Sequence, residues 1–151
     1  MDEKTVARNR KAGFEYFLQE SIEAGISLHG SEIKSIKNGQ MSLAEAFVEI
    51  RDLEAWLMNS HIAPYNQANR NNHDPLRPRR LLLHKREIRK LYEQVRLKGI
   101  TIVPVRAYIK DGRAKVEIAV GKGKKLYDKR DTIAQRDMER ESQREIRKKD
   151  W

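Results

Sequence analysis

The stretch from Ile100 to Val120 constrains the fold most. ITIVPVRAYI and RAKVEIAV flank Lys110-Asp111-Gly112, and an Asp-Gly pair suits the tight turn of a two-stranded hairpin. Period-two alternation predicts one inward face per strand: Thr101, Val103, Val105, Ala107 and Ile109 on the first, Val116, Ile118 and Val120 on the second. Lys115 and Glu117 then point outward. Pro104 lacks the N–H a ladder needs, so it marks an edge or a bulge.

Such a hairpin needs further strands to bury its apolar face, and the chain offers them. FEYFL (14–18) is a short aromatic-rich strand candidate. In IEAGISLHG, Ile22, Ala24, Ile26 and Leu28 alternate with Glu23, Gly25, Ser27 and His29, the period of a half-buried strand. FVEIR and EAWLMNSHI, split by Asp52-Leu53, read as a second hairpin. Ser31 is placed to cap a short helix, SEIKSIK, which stops at Asn38-Gly39. The clearest helix is HKREIRKLYEQVRLKG (84–99), with Ile88, Leu91, Tyr92 and Val95 on one stripe and Gly99 as the stop. Residues 64–79 contain three Pro and four Asn and form a long loop. The expected fold is mainly β: a small antiparallel barrel of about six strands, like the oligonucleotide-binding barrel, with flanking helices and a basic C-terminal tail.

Charge narrows the partner. The 151 residues hold 32 Lys and Arg against 22 Asp and Glu, a formal +10. Residues 76–90 hold seven basic residues and one acid, and residues 122–151 hold eleven and seven, so these two runs account for the whole excess. That concentration points to a polyanion, nucleic acid before an anionic membrane surface. The longest apolar run, ITIVPV, is too short to span a bilayer, and MDEKTVARNRK has no apolar signal core, so a cytoplasmic location is expected and no membrane partner.

Catalytic chemistry finds no foothold. With no Cys there is no thiol nucleophile, thiolate metal site or disulfide. His29, His61, His73 and His84 form no i, i+4 pair, so no metal is expected. GKGKK (121–125) resembles a phosphate loop but lacks its earlier Gly and the Ser or Thr after Lys that would hold magnesium. Asp111 and Asp128 have no acidic partner. The chain is expected to be no enzyme and to need no cofactor. What remains is phosphate binding. Gly121 and Gly123 allow close backbone approach, and Lys122, Lys124 and Lys125 neutralise charge. Tyr127 is a stacking candidate for an unpaired base. Arg10, Lys11, Arg79, Arg80 and Lys85 add contact candidates.

Beyond Leu126 the large apolar residues make no stripe. Asp137/Arg140, Glu141/Arg144 and Glu145/Lys148 are acid-then-base pairs at i, i+3, and Arg136, Arg140, Arg144 and Lys148 recur every four residues as one basic ridge. The reading is two parts: an RNA-binding barrel with helices over 1–125, and a basic tail over 126–151 that is disordered when free and helical on a polyanion.

Several segments together carry a family resemblance: NRKA (9–12), EYF, EAGISLHGSEIKSIKNG (23–39), HIAPY (61–65), DPLRPRRLLLHKREI (74–88) and GKGKKLYDKR (121–130). With them the chain resembles the small protein B, or SsrA-binding protein, family. Arg80 stands where a Lys is more usual. The resemblance implies binding to the tRNA-like part of transfer-messenger RNA and its delivery, with elongation factor Tu engaged through the charged RNA, to stalled ribosomes for trans-translation. It implies RNA-binding roles for Glu23, Leu82 and Lys115, although Leu82 could equally belong to the core. It places Tyr127, Asp128, Lys129 and Arg130 at the decoding site, and the tail in the messenger channel, where it becomes helical. The rival readings are a structural ribosomal protein, a general single-strand RNA-binding barrel, and a metal-dependent nuclease.

Overall fold

A computed structural model describes residues 3–65, 72–97 and 99–124. In chain order its elements are β1 (Glu3–Arg8), α1 (Arg10–Glu15), β2 (Tyr16–Ile26), α2 (Gly30–Lys37), β3 (Met41–Ser42), β4 (Phe47–Arg51), β5 (Glu54–Met58), β6 (His61–Ile62), β7 (Arg79–Leu82), α3 (Lys85–Val95), β8 (Ile100–Lys110) and β9 (Arg113–Gly123).

Six antiparallel strands close on themselves in the order β8-β4-β5-β7-β2-β9, with β9 pairing back onto β8. β1 adds to β8 over Arg106–Lys110. The expected β-rich ring is therefore present, and closure removes most of the free edges an open sheet would expose. Both predicted hairpins form. Asp52 and Leu53, and Asp111 and Gly112, all have positive φ, as the two central residues of a type I′ turn require. Glycine meets that demand without strain at Gly112; Leu53 meets it against its own preference.

The ring encloses Ala24, Val48, Ala55, Leu57, Leu81, Ile102, Ala107, Val116, Ile118 and Val120, all buried. Leu91 of α3 and Ile36 of α2 join the same core. Tyr92, expected on the α3 stripe, is instead 42% exposed.

Alternation along β8 breaks where Pro104 sits. The register to β9 shifts between Pro104 and Arg106, so Ile102 faces the core before the bulge and Ala107 after it. Thr101 and Val103, expected inside, line a groove on the other side with Asn9, Ala12 and Tyr16. The carbonyls at the bulge are not wasted. Asn9 donates its side-chain amide to Pro104 O at 2.9 Å and its backbone N–H to Val105 O at 2.8 Å. Its Oδ1 accepts from Ala12 N and caps α1.

Other departures are local. Phe14 and Glu15 belong to α1, and β2 is one strand running through both segments read separately in the sequence. Helix α2 is capped by His29, not Ser31: Glu32 turns back to accept the His29 N–H at 2.8 Å. Glu87 does the same for His84 at the start of α3, at 3.0 Å. Ser31 instead meets His73 Nδ1 at 2.8 Å, while His73 Nε2 lies 2.9 Å from Ile62 O.

A buried ion network ties the end of the long loop to α2. Glu32, fully buried, accepts from Arg77 Nη2 and from Arg79 Nε, each at 2.5 Å. Arg79 is also fully buried and donates to Ser60 O at 2.8 Å and Ser60 Oγ at 2.9 Å. Its remaining Nη reaches Pro75 O at 3.2 Å. The sequence reading of Arg79 as a nucleic-acid contact is thereby overturned, because its guanidinium is consumed inside the fold. Burial works against the Glu32 charge, but Arg77, the His29 amide and Arg79 outweigh it and hold the carboxyl below its usual range.

Candidate nucleic-acid interface

Inward Ala24 and Ile26 force Glu23 and Gly25 onto the outer face of β2. Gly25 is then the hinge of the site. It pairs with Leu82 on β7 and with Lys115 on β9, so Leu82, Gly25 and Lys115 lie opposite one another across three strands. A Cβ at Gly25 would sit 3.2 Å from Leu82 Cβ, so the missing side chain lets Leu82 lie down over the strand. Leu82 is 54% exposed, which removes it from the core. Glu23, Gly25, Arg80, Leu82, His84 and Lys115 line an open groove of about 390 Å³.

Glu23 is held from β8, across the intervening strand β9. The Tyr108 hydroxyl donates to its Oε2, and Lys110 Nζ lies 3.5 Å from the same oxygen. The Tyr108 hydrogen bond lowers the Glu23 pKa against the opposing effect of burial, with Lys110 and Lys115 adding to the lowering. Burial, and then Glu23 itself, push the Tyr108 phenol well up. Tyr108 is 2% exposed, and Arg106 stacks on its ring at 4.1 Å. Arg106 is fixed in turn by Glu117 at 2.8 Å and Glu3 at 2.5 Å. Tyr108 carried no signal in the sequence reading beyond its place in a strand; only the cross-strand register brings it to Glu23.

The groove thus offers an ionised carboxylate, an ammonium and an exposed apolar side chain across three adjacent strands. A carboxylate can accept from the amino edge of a base, an ammonium can meet a phosphate, and a leucine can pack on a sugar or base face.

The chain matches the family model described as "SmpB protein" over residues 6–148. It belongs to the SmpB family. The SsrA-binding protein of Desulforudis audaxviator is 55% identical over 147 residues, covering 97% of this chain and 96% of that protein. The SsrA-binding protein of Symbiobacterium thermophilum is 54% identical, covering 94% and 90%. A solved structure described as "tmRNA-SmpB: a journey to the center of the bacterial ribosome" superposes with a TM-score of 0.67 at 42% identity, covering 79% of this chain and 84% of that one.

In this SmpB-family chain the other expected contacts among the described residues lie outside the groove's lining, except Arg80. Lys122 and Gly123 end β9, opposite Phe17 and Tyr16 of β2. Lys124 follows, its N–H bonded to Glu15 O at 2.8 Å. Lys115 and Lys122 are seven residues apart on one strand, roughly 23 Å at strand rise. Gly121, expected to let RNA approach, instead serves packing within the fold, since a Cβ there would meet Tyr16 Cβ at 2.9 Å. Gly123 has open space around its Cα. Arg10 and Lys11 are exposed at the start of α1, with Lys11 paired to Glu45 at 2.7 Å. Arg80 is exposed and lies 3.6 Å from Glu54; Lys85 is exposed at the first turn of α3. Lys125, Tyr127, Asp128, Lys129, Arg130, Arg136, Arg140, Arg144 and Lys148 lie outside the described residues. Among the described residues no cluster of acids and histidines could hold a metal, and no helix is long and apolar enough to cross a membrane.

The Tyr108–Glu23 bond makes a prediction of its own. Tyr108→Phe should raise the Glu23 carboxyl pKa toward its ordinary value and destabilise the fold by about 1.5–3 kcal/mol, the range for a hydrogen bond to a charged group. An NMR titration of the Glu23 side chain checks the first effect and urea unfolding the second. An unmoved Glu23 titration would show that Lys110 and Lys115 alone set its charge.

Proposed function

We propose that this chain binds the tRNA-like domain of transfer-messenger RNA and delivers it to stalled ribosomes, where trans-translation rescues the ribosome and tags the peptide. The observation that carries the reading is the meeting of Glu23, Leu82 and Lys115 on one groove of a ring whose relatives are SsrA-binding proteins. Lys115 neutralises a backbone phosphate, Glu23 reads or orients a polar base edge, and Leu82 covers an apolar face. Lys122, Gly123, Lys124 and Lys125, with Arg10 and Lys11, extend the basic surface. Tyr127, Asp128, Lys129 and Arg130 work at the decoding centre, and Arg136, Arg140, Arg144 and Lys148 line the messenger channel. Elongation factor Tu is engaged indirectly, through the aminoacylated RNA. The chain itself performs no catalysis in this scheme.

A gel-shift series tests it. The protein should retain the isolated tRNA-like domain at concentrations well below those needed for an ordinary tRNA or a random RNA of equal length. Lys115→Ala and Leu82→Ala should each weaken the first complex roughly tenfold, the factor carried by about 1.4 kcal/mol. Equal retention of all three RNAs would reduce the protein to a general RNA-binding barrel.

A further inference from the structure

We propose that Phe17, with Lys122 and Lys124 beside it, forms a second RNA site: a stacking platform for one unpaired nucleobase whose flanking phosphates the two lysines neutralise. This rests on the reading of the chain as an RNA-binding protein and adds a contact to it.

Phe17 lies on β2, yet it is 48% exposed, and its neighbour Leu18 is 38% exposed. The cross-strand register explains what surrounds it. Phe17 pairs directly with Lys122, so the two side chains share a face, and Lys124 shares that face two residues on. Lys124 Nζ sits 5.0 Å from the centre of the Phe17 ring and 3.1 Å from Gly13 O. The backbone beneath is fixed on both sides. Tyr16 packs against Gly121 too closely for any Cβ there, and Lys124 N is bonded to Glu15 O. The ring is therefore presented by a rigid frame.

That arrangement suits a base better than an apolar peptide. An aromatic face with two ammonium groups beside it matches the chemistry of a nucleotide, a flat π-surface tethered to an anion. An ammonium resting over the ring can swing to a phosphate when a base arrives. The site is distant from the Glu23 groove, so it engages a different stretch of RNA.

The test uses the full chain and the tRNA-like domain. Phe17→Ala should weaken binding about tenfold while leaving the melting temperature unchanged, because the side chain is half outside. Phe17→Trp should restore affinity and show indole quenching on RNA addition, with wild type correcting for the two native tryptophans. Phe17→Leu should bind like Phe17→Ala. If Phe17→Leu bound like wild type, the position would contribute apolar packing, and the platform would be overturned. Unchanged affinity in Phe17→Ala would overturn it too. Failure of the wider reading looks different: wild type itself would not prefer the tRNA-like domain over random RNA.

Discussion

Glu32→Ala is expected to lower the melting temperature by about 10–15 °C. The substitution removes the anion from between two cations and leaves Arg79, with no exposed surface, carrying an uncompensated charge. Breaking a buried pair in this way costs about 3–5 kcal/mol, and a domain of this size loses roughly 2–4 °C per kcal/mol. Thermal unfolding followed by circular dichroism reads the shift, and a fall below about 3 °C would contradict the argument. A pair replaced outright by apolar residues is often neutral, but here Arg79 also serves carbonyls of Ser60, Asp74 and Pro75. The double variant Glu32→Leu, Arg79→Met should therefore remain destabilised, because those acceptors lose their donor. The network also dictates an acid response. The Glu32 pKa is lowered on folding, so its contribution is fully present above the unfolded carboxyl value near 4.3 and is lost as pH falls through the folded one. Glu32→Gln should flatten the stability curve across that acid range.

Much of the ring was legible because its signals are local. The Asp111-Gly112 turn, the alternation of Ile22, Ala24 and Ile26, and the stripe of Ile88, Leu91 and Val95 each depend on neighbours within a few residues. What escaped depends on register. The bulge at Pro104 reverses the parity of β8, so a strict alternation drawn through it put Thr101 and Val103 on the wrong side. Strand β1, EKTVAR, is short and charged, and it exists because β8 offers it an edge. Arg79 looked like one more member of a basic run. Its burial follows from Glu32, 47 residues away, which nothing local reveals.

The candidate groove divides the same way. Outward placement of Glu23 and Lys115 follows from period two, whereas Leu82 could be resolved as exposed only by the close approach of Gly25. The carboxylate itself is set by Tyr108 from a strand 85 residues away. In sequence Phe17 shows only membership of a strand; its pairing with Lys122 is what gives it a charged surround. Sequence pattern thus assigns faces, and register decides which residues meet on them.

Ending the chain at Lys125 is expected to keep binding of the tRNA-like domain within about threefold, or ~0.7 kcal/mol, of the full chain and to abolish peptide tagging. Among the described residues, the strand pairs of the ring are complete by Gly123, and Lys124 adds the bond to Glu15 O. The Glu23 groove and its Tyr108 support lie wholly before the cut. Charge argues the same way. Residues 126–151 carry eight basic and seven acidic residues, a net +1, so the shortened chain keeps 24 basic and 15 acidic residues and a formal +9. Long-range attraction to RNA and the salt slope of binding, which counts phosphates neutralised, should both persist. What the cut removes is Tyr127 and the ridge of Arg136, Arg140, Arg144 and Lys148, which in the proposed scheme act on the ribosome and not on the delivered RNA. Gel shifts at two salt concentrations and a reconstituted tagging assay measure the two halves independently. A tenfold loss of RNA affinity would place residues 126–151 in the RNA complex, and normal tagging would deprive them of their ribosomal role.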